Sequence, residues 1–231
     1  MTHEDNTLEE LRQQVHLQQD IQKKLVERFA AEDAGLRNAL AAAREEGLPE
    51  IQISPLQGKM LQVLAAACNA RKILELGSLG GYSGIWLARA LPANGRLITL
   101  EISPKHAAAV RNAFTKAQVA DRAEVRVGKA LELLPELEKE APFDLFFIDA
   151  DKVNYPAYLD WSLRLSRPGS IIVADNCIRS GRALEQAEDE DTAGLTEYNR
   201  RIASNPRLTS LVLPMDDGYT DGFAISVVRH T

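Results

Sequence analysis

Between residues 72 and 174 the chain repeats one pattern. A short apolar run is followed by a helix-patterned segment, and the unit recurs. The candidate strands are Lys72–Leu76, Leu97–Ile102, Ala123–Val127, Phe143–Ile148 and Ser170–Ala174. The helical segments between them lie near Gly84–Leu91, Pro104–Ala117, Ala130–Glu138 and Tyr155–Leu165. Runs such as FDLFFI and SIIVA have no polar alternation, so they suit strands buried on both faces. Parallel neighbours need a crossover, and a helix supplies it. The pattern therefore predicts an α/β fold: a parallel sheet with helices on both sides. After Asp175 the alternation stops. A polar segment (Arg179–Thr192) precedes a helix and two final strands, near Leu208–Leu213 and Gly222–Val228. The short PMDDGYTD connection between those strands argues for an antiparallel pair at the sheet edge.

Composition agrees with one such domain. The 231 residues are 45% hydrophobic and 26% charged, which excludes a disordered chain, a collagen-like repeat and a disulfide miniprotein. The net charge of −6 disfavours a nucleic-acid partner, because an acidic surface gains little from counterion release. Cys68 and Cys177 are far apart and form no zinc spacing, as expected of thiols in a reducing compartment. The N-terminus carries acids and no apolar leader, and no run of about 18 apolar residues could span a membrane. The expected location is the cytoplasm.

Residues 1–50 read as a helical extension and 51–231 as the main domain. Thr7 and Glu10 have capping-box spacing, and Leu11, Val15, Ile21, Leu25 and Phe29 mark an apolar stripe. A break is expected near Gly35, and Gly47 and Pro49 end the segment. A further short helix is expected over Leu56–Asn69. The extension is read first as an amphipathic cap on the core, with dimer contacts or a lid as alternatives. A homodimer is the expected assembly.

In open α/β sheets ligands bind beyond the C-terminal ends of the strands. Four of the five ends carry a carboxylate. The first ends in Gly77-Ser78-Leu79-Gly80-Gly81, whose glycines let a ligand approach the backbone beside a helix N-terminus. The spacing is not G-x-G-x-x-G, so a nicotinamide dinucleotide is disfavoured. Glu101, at the second strand end, can accept both ribose hydroxyls of an adenosine; with the glycine turn it favours nucleoside binding. Asp149, Asp175 and Asn176 are hard oxygen donors at neighbouring ends, suited to Mg2+ rather than zinc. Lys152 lies three residues beyond Asp149. The four histidines do not cluster, and Ser83 has no G-x-S-x-G context, which disfavours a serine hydrolase.

Taken together, ILELGSLGGYSG, LITLEIS, VGKALELLP, FDLFFIDADKVNYPAY and IIVADN resemble the class I S-adenosylmethionine-dependent O-methyltransferases of the catechol and caffeoyl-CoA type. The resemblance spans about residues 51–228 and includes the ISPLQGKML segment. It implies a Rossmann-like three-layer sandwich with seven mostly parallel strands and a reversed last strand. It implies that Glu75, Gly77 and Ser78 line the cofactor cleft, and that Ser83 and the Ile53 backbone hold the methionine end. Glu101 would bind the ribose, with Ile102 and Ala130 bordering the adenine. Asp149 (also near the cofactor), Asp175 and Asn176 would hold the divalent cation, and Lys152 would be the general base. The implied reaction moves a methyl group to a hydroxyl of a catechol-like acceptor. A tRNA hydroxyuridine acceptor and a non-catalytic nucleoside-binding module are the alternatives. The fourth strand lacks the D/N-P-P-Y/F signature of amino-group methyltransferases. Position 151 is Asp151, where the animal catechol enzyme has an aromatic gate residue. The acidic stretch 185–194 is expected near the acceptor opening, where it would disfavour strongly anionic acceptors.

Overall fold

A computed structural model describes residues 3–185, 187, 189–215 and 220–230, with residues 3–11 described as helix backbone. Seven strands form one sheet: β1 (Lys72–Leu76), β2 (Arg96–Glu101), β3 (Ala123–Val127), β4 (Phe143–Ile148), β5 (Ser166–Ala174), β6 (Leu208–Pro214) and β7 (Gly222–Val228). Their order is β3-β2-β1-β4-β5-β7-β6. The first five strands pair in parallel, and β7 runs antiparallel to both β5 and β6. This is the Rossmann-like sheet with a reversed last strand that the motifs imply. Chain order reverses between β1 and β4, so the crevice for a ligand opens where those two strands end.

The strands alternate their side chains between two apolar layers. Ile73, Leu97, Leu145, Phe147, Ile171 and Val173 face one layer. Leu74, Ile98, Phe146, Ile148, Ile172 and Ala174 face the other. Each fully buried aliphatic or aromatic side chain contributes roughly 1.5–3 kcal/mol. The continuous run FDLFFI in β4, buried at all six positions, is therefore a main source of stability. Asp144 anchors the other end of the crevice strands. It accepts the backbone N–H groups of Arg71 (2.7 Å) and Lys72 (2.9 Å) and the Arg167 guanidinium (2.7 Å). Burial alone would raise its pKa; these donors overcome that and hold it below the usual value.

The helices are α1 (His3–Phe29), α2 (Ala34–Glu45), α3 (Pro55–Ala67), α4 (Tyr82–Ala90), α5 (Pro104–Lys116), α6 (Ala130–Leu133), α7 (Tyr155–Leu165) and α8 (Glu190–Ser204). Three details differ from the sequence expectation. Helix α1 already begins at His3, so Thr7 lies inside it and not at its N-cap. The break falls at residues 30–33, and Asp33 caps α2 by accepting the Leu36 N–H at 3.1 Å. Gly35 instead packs in the first turn of α2 against Ala117. The helix expected over Ala130–Glu138 is one α turn followed by a 3-10 turn, Leu134–Glu140, in which Pro135 has no N–H to continue the α pattern. Leu36 and Ala39 of α2 share a core layer with the sheet, whereas Val15, Leu17, Ile21, Leu25 and Phe29 of α1 are exposed. Among the described residues no helix is long and apolar enough to cross a membrane.

Candidate active site

A cavity of about 1110 Å³ opens at the β1/β4 crevice. That exceeds the roughly 300–1,000 Å³ of a usual single-ligand pocket, so there is room for two molecules side by side. Ile53, Gly77, Ser78, Ser83, Glu101, Ile102 and Ala130 line one part of it. Asp149, Lys152 and Asn176 line the other. Glu75 and Asp175 are both buried and stand behind this lining.

Gly77 makes the crevice possible. Its φ is +92°, and a Cβ there would lie 2.0 Å from the Asp149 carbonyl oxygen. Only glycine both adopts that turn and lets the β1 and β4 ends meet. The turn is then held from β2. Glu101 Oε2 accepts the backbone N–H groups of Ser78 (3.2 Å) and Leu79 (3.1 Å), while Oε1 accepts Ser103 N–H at 2.9 Å. The sequence suggests Glu101 as a ribose ligand; it does not anticipate the bracing of the glycine turn. Ser78 and Thr99 hydroxyls bond to each other beneath it.

Ser83, in the first turn of α4, donates its hydroxyl to Glu75 Oε1 at 2.6 Å. Glu75 Oε2 is buried without a partner, and its side chain sits against Gly84. Burial pushes the Glu75 carboxyl up to about 7; the Ser83 and Thr99 hydroxyls oppose this, and Asp149 and Glu101 add to it. The Ile53 segment is fixed by a capping box on α3. Ser54 Oγ accepts Gln57 N–H at 3.3 Å, and Gln57 Oε1 accepts Ser54 N–H at 2.7 Å.

Across the crevice, Lys152 Nζ donates to Asp149 Oδ1 at 2.8 Å and to the Tyr155 hydroxyl at 2.9 Å. Tyr155 is fully buried, and its hydroxyl lies 3.1 Å from the Ile148 carbonyl and 3.2 Å from the Asp175 carbonyl. It therefore ties Lys152 to the ends of β4 and β5. The spacing Lys152–Tyr155 is readable in sequence, but nothing there marks the tyrosine as more than core. Gly194 of α8 adds a second constraint: its Cα packs so closely on the Lys152 carbonyl that a Cβ would lie 2.2 Å away.

Asp175 is buried, and its carboxyl is pushed up to about 8, first by burial and then by repulsion from Asp149. Asn176 holds a left-handed φ of 60°, which asparagine tolerates better than most residues. Its amide nitrogen donates to Asp221 at 3.3 Å, leaving the amide oxygen available. Among the described residues no group of three or more His, Cys, Asp or Glu is placed to hold a metal. The candidate set is two carboxylates and an amide, all hard oxygen donors. Crowded negative charge at Asp149 and Asp175 is the electrostatic setting that a cation relieves, so these side chains fit a small divalent ion.

Asp151, Asn154, Tyr158, Arg179 and Asp191 complete the far end of the cavity, and Ala39, Leu40 and Ala43 of α2 close its roof. Of these, the sequence points only to Asp151, at the gate position, and to Asp191, through the acidic stretch expected near the acceptor opening. Asp151 accepts hydrogen bonds from Tyr158 and Asn154.

Comparison with known proteins gives a consistent result. Residues 27–223 match the O-methyltransferase family. The chain is 47% identical over 202 residues to the catechol O-methyltransferase of Niastella koreensis, covering 86% of this chain and 91% of that one. It is 45% identical over 212 residues to the catechol O-methyltransferase of Mycobacterium tuberculosis, covering 91% and 96%. The O-methyltransferase from Bacillus cereus in complex with SAH superposes with a TM-score of 0.88 at 41% identity, over 93% of this chain and 100% of that one. The O-methyltransferase TomG from Streptomyces achromogenes, in complex with SAM, gives 0.86 at 37% identity, over 91% and 96%.

Proposed function

This chain belongs to the O-methyltransferase family, and on that premise we propose that it methylates a hydroxyl of a catechol-like phenolic small molecule with the help of a divalent cation, most simply Mg2+. S-adenosylmethionine-dependent O-methylation follows from membership; the acceptor, the cation and the residue roles are the proposal. The observation that carries it is the Lys152–Asp149 pair, 2.8 Å apart, in one cavity with the glycine turn and Glu101.

Bound S-adenosylmethionine supplies an electrophilic methyl group, and a bound divalent cation supplies charge that favours ionisation of a nearby hydroxyl. The chain's own residues do the rest. Glu101 Oε1 holds a single short backbone N–H and keeps capacity for a ribose hydroxyl. Gly77 and Ser78 would border the cofactor, Ile102 and Ala130 would flank the adenine, and Ser83 with the Ile53 backbone would meet the methionine end. Glu75 sets the orientation of the Ser83 hydroxyl from behind. Asp149, Asp175 and Asn176 would hold the cation. In its neutral amine form Lys152 would receive the acceptor's proton, and Asp149 and Tyr155 would hold the ammonium that results. The cavity wall of α2 with Pro49, Ile51, Gln52 and Ile53 would limit water access and hold the two molecules relative to each other, a contribution that reaches about 7–11 kcal/mol in favourable cases. A homodimer belongs to the same reading, supported by the exposed apolar stripe of α1.

The test is SAH release from S-adenosylmethionine and Mg2+ with catechols, caffeoyl-CoA and undermodified tRNA as acceptors. Catechol turnover that EDTA abolishes is expected. Turnover of tRNA alone would replace the acceptor class, and indifference to EDTA would remove the cation. Lys152→Ala should lower kcat by about 10²-fold or more with little change in cofactor affinity; a primary loss of cofactor affinity would contradict its role.

A further inference from the structure

Among the described residues, Arg179 is the cation at the far end of the cavity whose charge is least satisfied. Lys152, the neighbouring cation, is bound to Asp149 at 2.8 Å. Arg179 lines the same cavity, yet among the described residues its carboxylate partners are long contacts, 3.7 Å to Asp189 and 3.9 Å to Asp191. Among the described residues its side-chain hydrogen bond goes to the Thr192 hydroxyl at 3.3 Å. A guanidinium has five donors, and a bidentate carboxylate pair closes at about 2.7–2.9 Å. The fork of Arg179 is thus held in place by α8 without being saturated. Its backbone is fixed as well: φ is +50°, and its N–H donates to Asp221 Oδ1 at 3.2 Å.

Resting on the proposed function, we propose that Arg179 selects acceptors carrying an acidic group, so that the preferred substrates are carboxylated catechols. An incoming carboxylate closes on the guanidinium at hydrogen-bonding distance and displaces contacts nearly 4 Å long. The acidic stretch is no barrier to this. Asp189 caps α8 through Thr192 N–H at 2.8 Å and lies between Arg179 and Arg182, so its charge is locally offset. Of the described acids in the stretch, Asp191 lines the cavity, and it is one of the two that hold Arg179. Selectivity then comes from exchange of one carboxylate partner for another.

The experiment compares kcat/KM for 3,4-dihydroxybenzoate and its uncharged isostere 3,4-dihydroxybenzamide, with S-adenosylmethionine and Mg2+. Wild type should prefer the acid by about tenfold or more, the value of a charge-assisted hydrogen bond. Arg179→Gln should bring the ratio close to one, mainly through KM of the acid, and Arg179→Lys should restore part of it. Arg182→Gln, outside the cavity lining, should keep the wild-type ratio. If Arg179→Gln does not fold, Asp191→Asn tests the same point in the other direction, because loss of a competing carboxylate should raise the preference. Equal efficiency on both acceptors in wild type, or an equal loss on both in Arg179→Gln, overturns the inference while leaving catechol methylation intact. No turnover of either acceptor overturns the functional reading and this inference with it.

Discussion

Gly194→Ala should damage catalysis from a residue that touches no ligand. In the interior of α8 this substitution ordinarily stabilises a helix by about 1 kcal/mol. Here the new methyl group would lie 2.2 Å from the Lys152 carbonyl oxygen and 2.9 Å from Val153 Cα. Ordinary contact begins near 3.4 Å, so α8 or the Lys152–Asn154 turn must move by more than 1 Å. Overpacking of this kind costs about 1–3 kcal/mol, which the helix gain partly offsets. The net loss of stability is therefore small, about 0–2 kcal/mol. As the proposed base, Lys152 would have to meet the acceptor hydroxyl, and a misplacement of about 1 Å costs about 10²-fold. The expected signature is a kcat lowered by about that factor, with cofactor affinity by calorimetry unchanged and a modest shift in the urea midpoint. A variant that is more stable than wild type and retains full kcat would refute the reasoning, since it would mean the contact is slack. A dominant loss of cofactor affinity would also refute it, because Gly194 is argued to act through Lys152 alone.

Two other outcomes follow from buried and exposed groups elsewhere. Glu75 has a folded pKa near 7 against an ordinary 4.5, so the folded state holds the proton more tightly and stability falls as pH rises through that window. Glu75→Gln should remove a loss of up to about 3 kcal/mol between pH 4.5 and 7, read as a flatter urea-denaturation profile; an unchanged slope would show that another group is responsible. The α1 stripe should be the contact in a homodimer. Light scattering of the full chain should give twice the chain mass, and the triple variant Leu17→Glu, Ile21→Glu, Leu25→Glu should give the monomer; wild type at monomer mass rules the homodimer out.

The sheet was legible because its chemistry is local. Runs such as FDLFFI have one stable use, a strand covered on both faces, and the strands they mark are found within a few residues of their expected bounds. The strand-end rule then brought Glu101, Asp149, Asp175 and Asn176 to one rim without any knowledge of side-chain contacts. Capping signatures were less decisive. Thr7–Glu10 and Ser54–Gln57 carry the same spacing, but only the second sits where the chain enters its helix, after an extended Ser54 and before Pro55. Spacing alone does not say where the preceding residues turn. Contacts between distant segments were not legible at all. Gly194 on Lys152 depends on how α8 packs after a polar connection, and no local pattern encodes that approach.

The reversed strand was itself legible, but the contacts it brings to the far end of the site were not. Five parallel strands deliver their C-terminal ends to the rim. β7 runs the other way between β5 and β6, so it delivers its beginning instead. Asp221, the residue just before β7, therefore arrives beside the end of β5. Its Oδ1 accepts the N–H groups of Ile178 (3.1 Å), Arg179 (3.2 Å) and Gly222 (2.9 Å), and its Oδ2 accepts the Asn176 amide. One carboxylate thus orients the amide proposed for the cation and fixes the backbone of the arginine proposed for the acceptor. Asn176 and Arg179 both adopt left-handed φ values, a conformation that costs a non-glycine residue of order 1–3 kcal/mol unless its surroundings impose it. The Asp221 bonds supply that constraint. On the two proposals above, chemistry and acceptor choice would be coupled through the strand that breaks the parallel pattern, and not only through the five that define it.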